Sequence, residues 1–336
     1  MEERQSYTLC VGTLLLLSLL LLCVPYLVPA VPAPTGSLLS TAHLVPTALE
    51  SALLGVWRAR ASAQRARLEA ALAQPASALA AGSPFEDVSA DLPLPQPFLA
   101  QPRSDSDVTG VRSIPFAPQL SALGGGCTMF AAGIATDGGF EEHVASALGC
   151  TVHAFDCTLT PGELAAARAR YSFTIHRLCL GAGTKVGAAY ARGQALKFQP
   201  LAAAKAALGV RSLDILKFDI EGGEWGLLAS EVLAAREQDL PSQLMFELHT
   251  QGANAGYVAP EAVQGKGREQ VNRLFLQLLQ LGYHVIEKVV NPGDDRCADF
   301  VLVRSPPRPH TTAGASGGGA EGSSGRFSPW DEEAAT

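Results

Sequence analysis

The chain has 336 residues, is 47% hydrophobic and 17% charged, and carries a formal net charge of -7. That length suits one sizeable domain with extensions, and the composition suits a packed core rather than a disordered polymer. The acidic balance argues against a nucleic-acid partner, because phosphate binding needs a concentrated basic surface.

The first feature along the chain is an uncharged run from Cys10 to Val31. It is long enough to cross a hydrocarbon core of roughly 30 Å as a helix. Two readings of residues 1–31 stay open. One is a transmembrane signal anchor, a single-pass membrane contact that leaves the rest facing the Golgi or ER lumen. The other is a signal peptide cut after Ala30, where Val28, Pro29 and Ala30 resemble a small-residue cleavage site, giving a secreted protein. Pro25 and Pro29 disturb the last turns of an anchor helix.

Residues 32–107 read as a stem and linker. Within them, 48–73 has helical spacing of Leu49, Leu53, Val56, Trp57, Leu68 and Leu72, with arginines between. A self-associating stem and a helix packed on the domain both fit. Residues 74–107 are rich in proline and read as linker. Residues 108–304 carry the folded domain, and the Gly/Ser-rich run 305–336 reads as a disordered tail.

Inside the domain, strands and helices alternate. Strand Cys127 to Ala132 leads through Gly133 and the turn at Thr136 to Gly139 into a helix, Phe140 to Leu148. Strand Thr151 to Phe155 is followed by a helix from Pro161 to Ala169, with Thr160 as its cap. A strand over Phe173 to Cys179, a mostly helical stretch over Leu196 to Leu208, a strand over Leu213 to Phe218 and a helix over Trp225 to Ala235 come next. Strand Gln243 to Leu248, helix Gly267 to Leu281, and strands Tyr283 to Val290 and Ala298 to Val303 close the domain. This order predicts an α/β fold: a doubly wound, mostly parallel sheet of about seven strands with an antiparallel closing strand.

Of seven cysteines, Cys10 and Cys23 lie in the apolar run and five lie in the domain. At least one of these seven has no partner within the chain, and connectivity cannot be read from spacing. No CxxC or Cys/His grouping has zinc-site spacing, so no structural metal is expected.

The candidate site residues fall at strand ends, where open α/β sheets bind ligands. Gly133 lets the backbone approach a ligand closely, ahead of a helix N-terminus. Asp156 stands at the end of the next strand, at the distance from the glycine turn where an acid accepts hydrogen bonds from ribose hydroxyls. Asp219, Glu221 and Glu224 cluster after the strand ending at Phe218. They are either site carboxylates or caps of the next helix. Glu247 and His249 share one side of their strand, and His249 is a candidate general base or a satisfied histidine at the rim.

These motifs together resemble the FkbM-like, methyltransferase-21 type of S-adenosylmethionine-dependent methyltransferase. The resemblance covers about 125–303. It rests on Cys127 to Glu142, on Val152 to Asp156, most closely on Leu216 to Trp225, on Phe246 to His249, and on the closing segment with Cys297, Ala298 and Asp299. It implies a Rossmann-like class I methyltransferase fold with S-adenosylmethionine as cofactor. Ala132, Gly133 and Asp137 would lie along the methionine moiety, Asp156 would hold the ribose, and Asp219 would sit near the amino group and sulfonium. Asp219, Glu221 and His249 would be the catalytic residues, the last two facing the acceptor. The implied reaction is O-methyl transfer to a small hydroxyl compound or a glycan. Methyl transfer draws much of its rate from positioning the acceptor in line with the sulfonium.

Three rivals remain. An NAD-type oxidoreductase lacks a GxGxxG motif here. A membrane-anchored, non-catalytic binding module would need none of the acids. A glycosyltransferase would need a DxD motif at a strand end, and Asp105 and Asp107 lie in the linker.

Overall fold

A computed structural model describes residues 48–80, 82–90, 99–100, 113–115, 120, 126–181, 196–253 and 257–304. The apolar strands read from the sequence assemble into one seven-stranded sheet. Its strands are β1 (Thr128–Ala132), β2 (Thr151–Phe155), β3 (Thr174–His176), β4 (Ile215–Phe218), β5 (Gln243–His249), β6 (Tyr283–Val290) and β7 (Cys297–Arg304). The spatial order is β6-β7-β5-β4-β1-β2-β3. β1 pairs in parallel with both β2 and β4, and β4 pairs in parallel with β5. β7 slots between β5 and β6 and runs antiparallel to both. The strand order therefore reverses at β1, between β2 and β4.

Alternation along each strand divides the core between the two sheet faces. Phe130, Leu216, Phe218, Leu244 and Phe246 point to one face, and Met129, Ala131, Ile215 and Met245 to the other. On the first face, helix α6 (Arg268–Gln280) contributes Val271, Leu274, Phe275 and Leu278. On the second, helix α2 (Gly139–Leu148) contributes Phe140, Val144 and Leu148. Helix α3 (Pro161–Arg170) starts in a capping box: Thr160 Oγ1 accepts from Glu163 N, and Glu163 Oε2 accepts from Thr160 N. That reciprocal pair fixes where the helix begins.

The segment before the sheet is part of the domain. Helix α1 (Ala48–Leu72) lies against α6, and its Leu68 is fully buried. Of the two readings of 48–73, the structure has the packed helix. The linker expected over 74–107 is corrected in its described part. Phe85 and Val88 are fully buried in the first-face core, where Phe85 meets Phe300 edge-on at 5.7 Å. Between them Asp87 receives Arg268 Nε at 2.6 Å, Arg268 Nη2 at 2.8 Å and Asn272 Nδ2 at 2.7 Å from α6. A proline-rich stretch needs no secondary structure of its own to contribute core residues, and its prolines concealed this from pattern reading. The compact unit accordingly begins at Ala48 rather than near 108.

Two expected elements are shorter than predicted. The strand over Phe173 to Cys179 stops at His176. Beyond it the chain crosses the end of the sheet, drawn by a disulfide from Cys179 to Cys157 and a hydrogen bond from Arg177 Nε to Leu159 O. Cys179–Leu180 then pairs with Phe198–Gln199. The helix over 196–208 is confined to α4 (Leu201–Ala207), because Pro200 holds the preceding Gln199 extended. The helix predicted from Trp225 is α5 (Glu224–Leu227), continued by a π-helical turn over Leu228–Val232.

Among the described residues, no helix is long and apolar enough to cross a membrane. Cys10 to Val31 and the tail 305–336 lie outside the described residues.

Candidate functional site

A ligand cleft in an open α/β sheet is expected where the strand order reverses. Here that point is bounded by the ends of β1, β2 and β4, and five of the residues named from sequence meet there. Ala132, Gly133, Asp156, Asp219 and Glu221 line one cleft, whose remaining wall includes Thr158 and the Cys157–Cys179 disulfide.

Gly133 sits at φ +77°, and a side chain there would meet the Asp219 carbonyl oxygen at 1.7 Å. The glycine is what lets the turns after β1 and β4 pass each other. Gly133 N donates to Phe155 O at 3.0 Å, and Asp219 N donates to Ala132 O at 3.0 Å, so the parallel pairing continues to the cleft's edge.

Asp156 is buried and ties the loop after β1 to its own loop after β2. Its Oδ2 accepts from Ala135 N at 2.8 Å, and its Oδ1 accepts from Thr158 N at 2.8 Å and Thr158 Oγ1 at 2.6 Å. Burial raises its pKa above the ordinary carboxylate value, opposed by those hydrogen bonds. A backbone hydrogen bond from Leu159 opposes it as well. Asp137 stands apart from the other candidates. It is exposed, its Oδ1 accepts from Gly139 N at the start of α2, and it does not line the cleft.

The turn after β4 is bent by two successive left-handed residues, Glu221 at φ +53° and Gly222 at φ +97°. Positive φ is uncommon for a residue with a side chain and marks backbone held by its surroundings. The holder is Glu224, which is fully buried. Its carboxylate accepts from Ile220 N at 2.8 Å and from Gly222 N at 2.9 Å. Glu224 is thus the cap of this turn, which was the plainer of its two sequence readings.

The strained turn aims Glu221 at His249. His249 Nε2 lies 3.2 Å from Glu221 Oε2, and its Nδ1 lies 3.3 Å from Glu224 Oε1. Burial opposes charging the imidazole, but Glu224 and the hydrogen bonds to Cys297, Glu221 and Glu224 outweigh it and raise its pKa far above the ordinary value. The imidazole thus lies between two carboxylates, a setting that favours its charged form over the neutral form a general base needs. Glu247 is pushed up to about 8 by burial and by the charges of Asp219 and Asp299. Asp219 Oδ1 is buried with no hydrogen-bond partner among the described residues.

Behind the cleft wall, His153 Nδ1 and His176 Nε2 lie 3.2 Å apart, and burial lowers the His153 pKa. A base whose folded pKa is depressed stays neutral where the unfolded chain takes up a proton. Its contribution to stability is present above the ordinary value of 6.5 and lost as pH falls below it. The urea midpoint is expected to drop between about pH 6.5 and pH 5, and His153→Phe should flatten that drop. An unchanged pH profile in the variant would contradict the assignment.

Several functional features were missed in the sequence. The disulfides Cys127–Cys150 and Cys157–Cys179 leave Cys297 free and buried in the domain. The roles of Ala135 and Thr158 on Asp156 carried no sequence signal, because a backbone N–H and a short hydroxyl occur in any loop.

No family model matches the chain, and no curated protein does. Solved structures are similar to it at low identity. One is the Methanococcus jannaschii fibrillarin pre-rRNA processing protein, with 15% identity over 53% of this chain and 66% of that one, TM-score 0.30. This chain thus spans just under two thirds of that protein. Another is the N-methyltransferase NodS from Bradyrhizobium japonicum WM9, with 15% identity over 56% and 92%, TM-score 0.32. A third is M. capricolum TrmK in complex with S-adenosyl-homocysteine, with 10% identity over 58% and 70%, TM-score 0.29.

Proposed function

We propose that this chain is an S-adenosylmethionine-dependent methyltransferase that transfers a methyl group to the hydroxyl of a small molecule or glycan. The observation that carries the reading is the convergence of Gly133, Asp156 and Asp219 on one cleft at the strand-order reversal. The Gly133 turn leaves room for backbone-close binding of the methionine part. Asp156 lines the cleft at the end of β2, where an acid suits a ribose hydroxyl. Asp219, with Oδ1 unpartnered, faces the cleft where a cationic ammonium or sulfonium would be favoured.

The residues also say how an acceptor would lose its proton. Asp219 and Glu221 are the carboxylates that line the cleft besides Asp156, and His249 lies 3.2 Å from Glu221, so these two are the bases placed to serve an acceptor. Proton removal is then secondary to holding the hydroxyl in line with the sulfonium methyl.

The NAD-type alternative is disfavoured by the turn itself, which has Gly133 but Ala135 at φ +47° where a second glycine would give the backbone access to a pyrophosphate. The two disulfides favour an oxidising compartment. With the uncharged run at Cys10 to Val31, they support a lumenal or secreted domain, anchored if that run is retained. Calorimetric titration of the full chain with S-adenosylmethionine and, separately, NAD tests the reading. Heat of one-site binding with S-adenosylmethionine alone is expected, and binding of NAD alone would overturn it.

A further inference from the structure

β5 and β7 place four chemistry-bearing side chains in a two-by-two array. In the antiparallel register His249 lies opposite Cys297, and Glu247 lies opposite Asp299. Residues two apart on a strand share a face, and opposed residues sit side by side. The alternation Glu247-Leu248-His249 against Cys297-Ala298-Asp299 therefore puts all four on one face.

Donor atoms of Glu247, His249 and Cys297 lie within 4.8 Å of one another, as do those of Asp219, Glu224 and His249. A tetrahedral zinc ion with nitrogen and sulfur ligands holds its donors roughly 3.5 Å apart, a closure that side-chain rotation can supply. Glu224 is fixed by backbone N–H groups and takes His249 Nδ1, so Nε2, which lies 3.2 Å from Glu221 Oε2, is the nitrogen a cation would take. A carboxylate that orients the far nitrogen of a histidine is the usual support of a ligating imidazole.

Two further observations point to a cation. Asp219 Oδ1, buried and without a hydrogen-bond partner among the described residues, belongs to this constellation. The carboxylates of Asp219, Glu221 and Glu224 surround a single imidazole, an excess of negative charge that burial makes costly. The expectation of no structural metal rested on local Cys/His spacing, whereas these donors come from two strands about 50 residues apart.

We propose that Glu247, His249 and Cys297 bind a divalent transition-metal cation of zinc type on the shared face of β5 and β7. Mixed thiolate, imidazole and carboxylate donors select a borderline cation over magnesium or calcium. On binding, the cation replaces the His249 Nε2 proton and the Cys297 thiol proton, which leave to solvent. Beside Asp219 and Glu221, such a cation would polarise an acceptor hydroxyl. That use rests on the methyltransferase reading, whereas the binding does not.

The test is a cobalt(II) titration of the full chain after chelation and dialysis, with S-adenosylmethionine binding measured on the same samples. One equivalent of cobalt with a thiolate-to-metal charge-transfer band is expected, and zinc should bleach it. Cys297→Ser should remove the band, and Glu247→Gln should weaken binding by about 10-fold or more, each with unchanged near-ultraviolet circular dichroism. A folded chain that takes up no cobalt overturns the proposal, as does a band that survives Cys297→Ser. S-adenosylmethionine binding without cobalt uptake sinks the cation site alone. Cobalt uptake without S-adenosylmethionine binding upholds the cation site and counts against the methyltransferase reading.

Discussion

Gly133→Ala is expected to destabilise the fold by on the order of 3 kcal/mol or more and to abolish cofactor binding. Two causes add. The position is left-handed, at φ +77°, and the new Cβ would stand 1.7 Å from the Asp219 carbonyl oxygen. That oxygen is backbone, so relief requires moving the β4 turn away from β1, and Asp219 with it. Gly149→Ala is the matching control. Gly149 caps α2 at φ +69° with nothing within 4 Å of a Cβ. It should show only the conformational cost, about 1–2 kcal/mol. Urea midpoints of the two variants separate clash from strain. Equal losses would mean that the turns after β1 and β4 are not held against each other.

Phe85→Ala should cost roughly 3–5 kcal/mol, the range for a fully buried aromatic side chain. Phe85 packs on Phe300 of β7 and is wholly buried, although it lies in a proline-rich stretch. Asp87→Ala should act by a different route. It strips an acceptor from Arg268 and Asn272, both buried, while Arg268 keeps its ion pair with Glu86 at 2.7 Å. A loss of about 2 kcal/mol is expected. Denaturation of the two variants would show near wild-type stability if residues 48–90 were only a tether. The same packing predicts that a fragment starting near residue 95 exposes the first-face core and does not fold.

The sheet was legible because its strands carry short apolar runs bounded by glycine and acidic turns, as at Leu213 to Gly222. β2 matches its predicted span, and β6 does too, since both runs end at turns with Asp156 or Asn291. What pattern could not show was tertiary. Cys179 leaves β3 because of a covalent bond to Cys157, and the docking of Phe85 depends on an ion pair between residues 181 apart. The site divided in the same way. Gly133, Asp156 and Asp219 were legible because strand ends and the glycine turn fix them. The charge state of His249 was not, because it depends on Glu221 being turned inward by its left-handed backbone and on Glu224 being tied down by Gly222 N. Asp137 followed the glycine turn in sequence, yet its side chain caps α2 instead of entering the cleft.

The central claim is that the ends of β1, β2 and β4 form a single S-adenosylmethionine site. Its most direct test extends the calorimetric titration to Asp219→Ala and Asp156→Ala beside the unaltered full chain. One-site binding is predicted, weakened about 10-fold or more, or about 1.4 kcal/mol, by each substitution. A folded chain that binds no S-adenosylmethionine, or one that binds it equally well without either carboxylate, would contradict the claim.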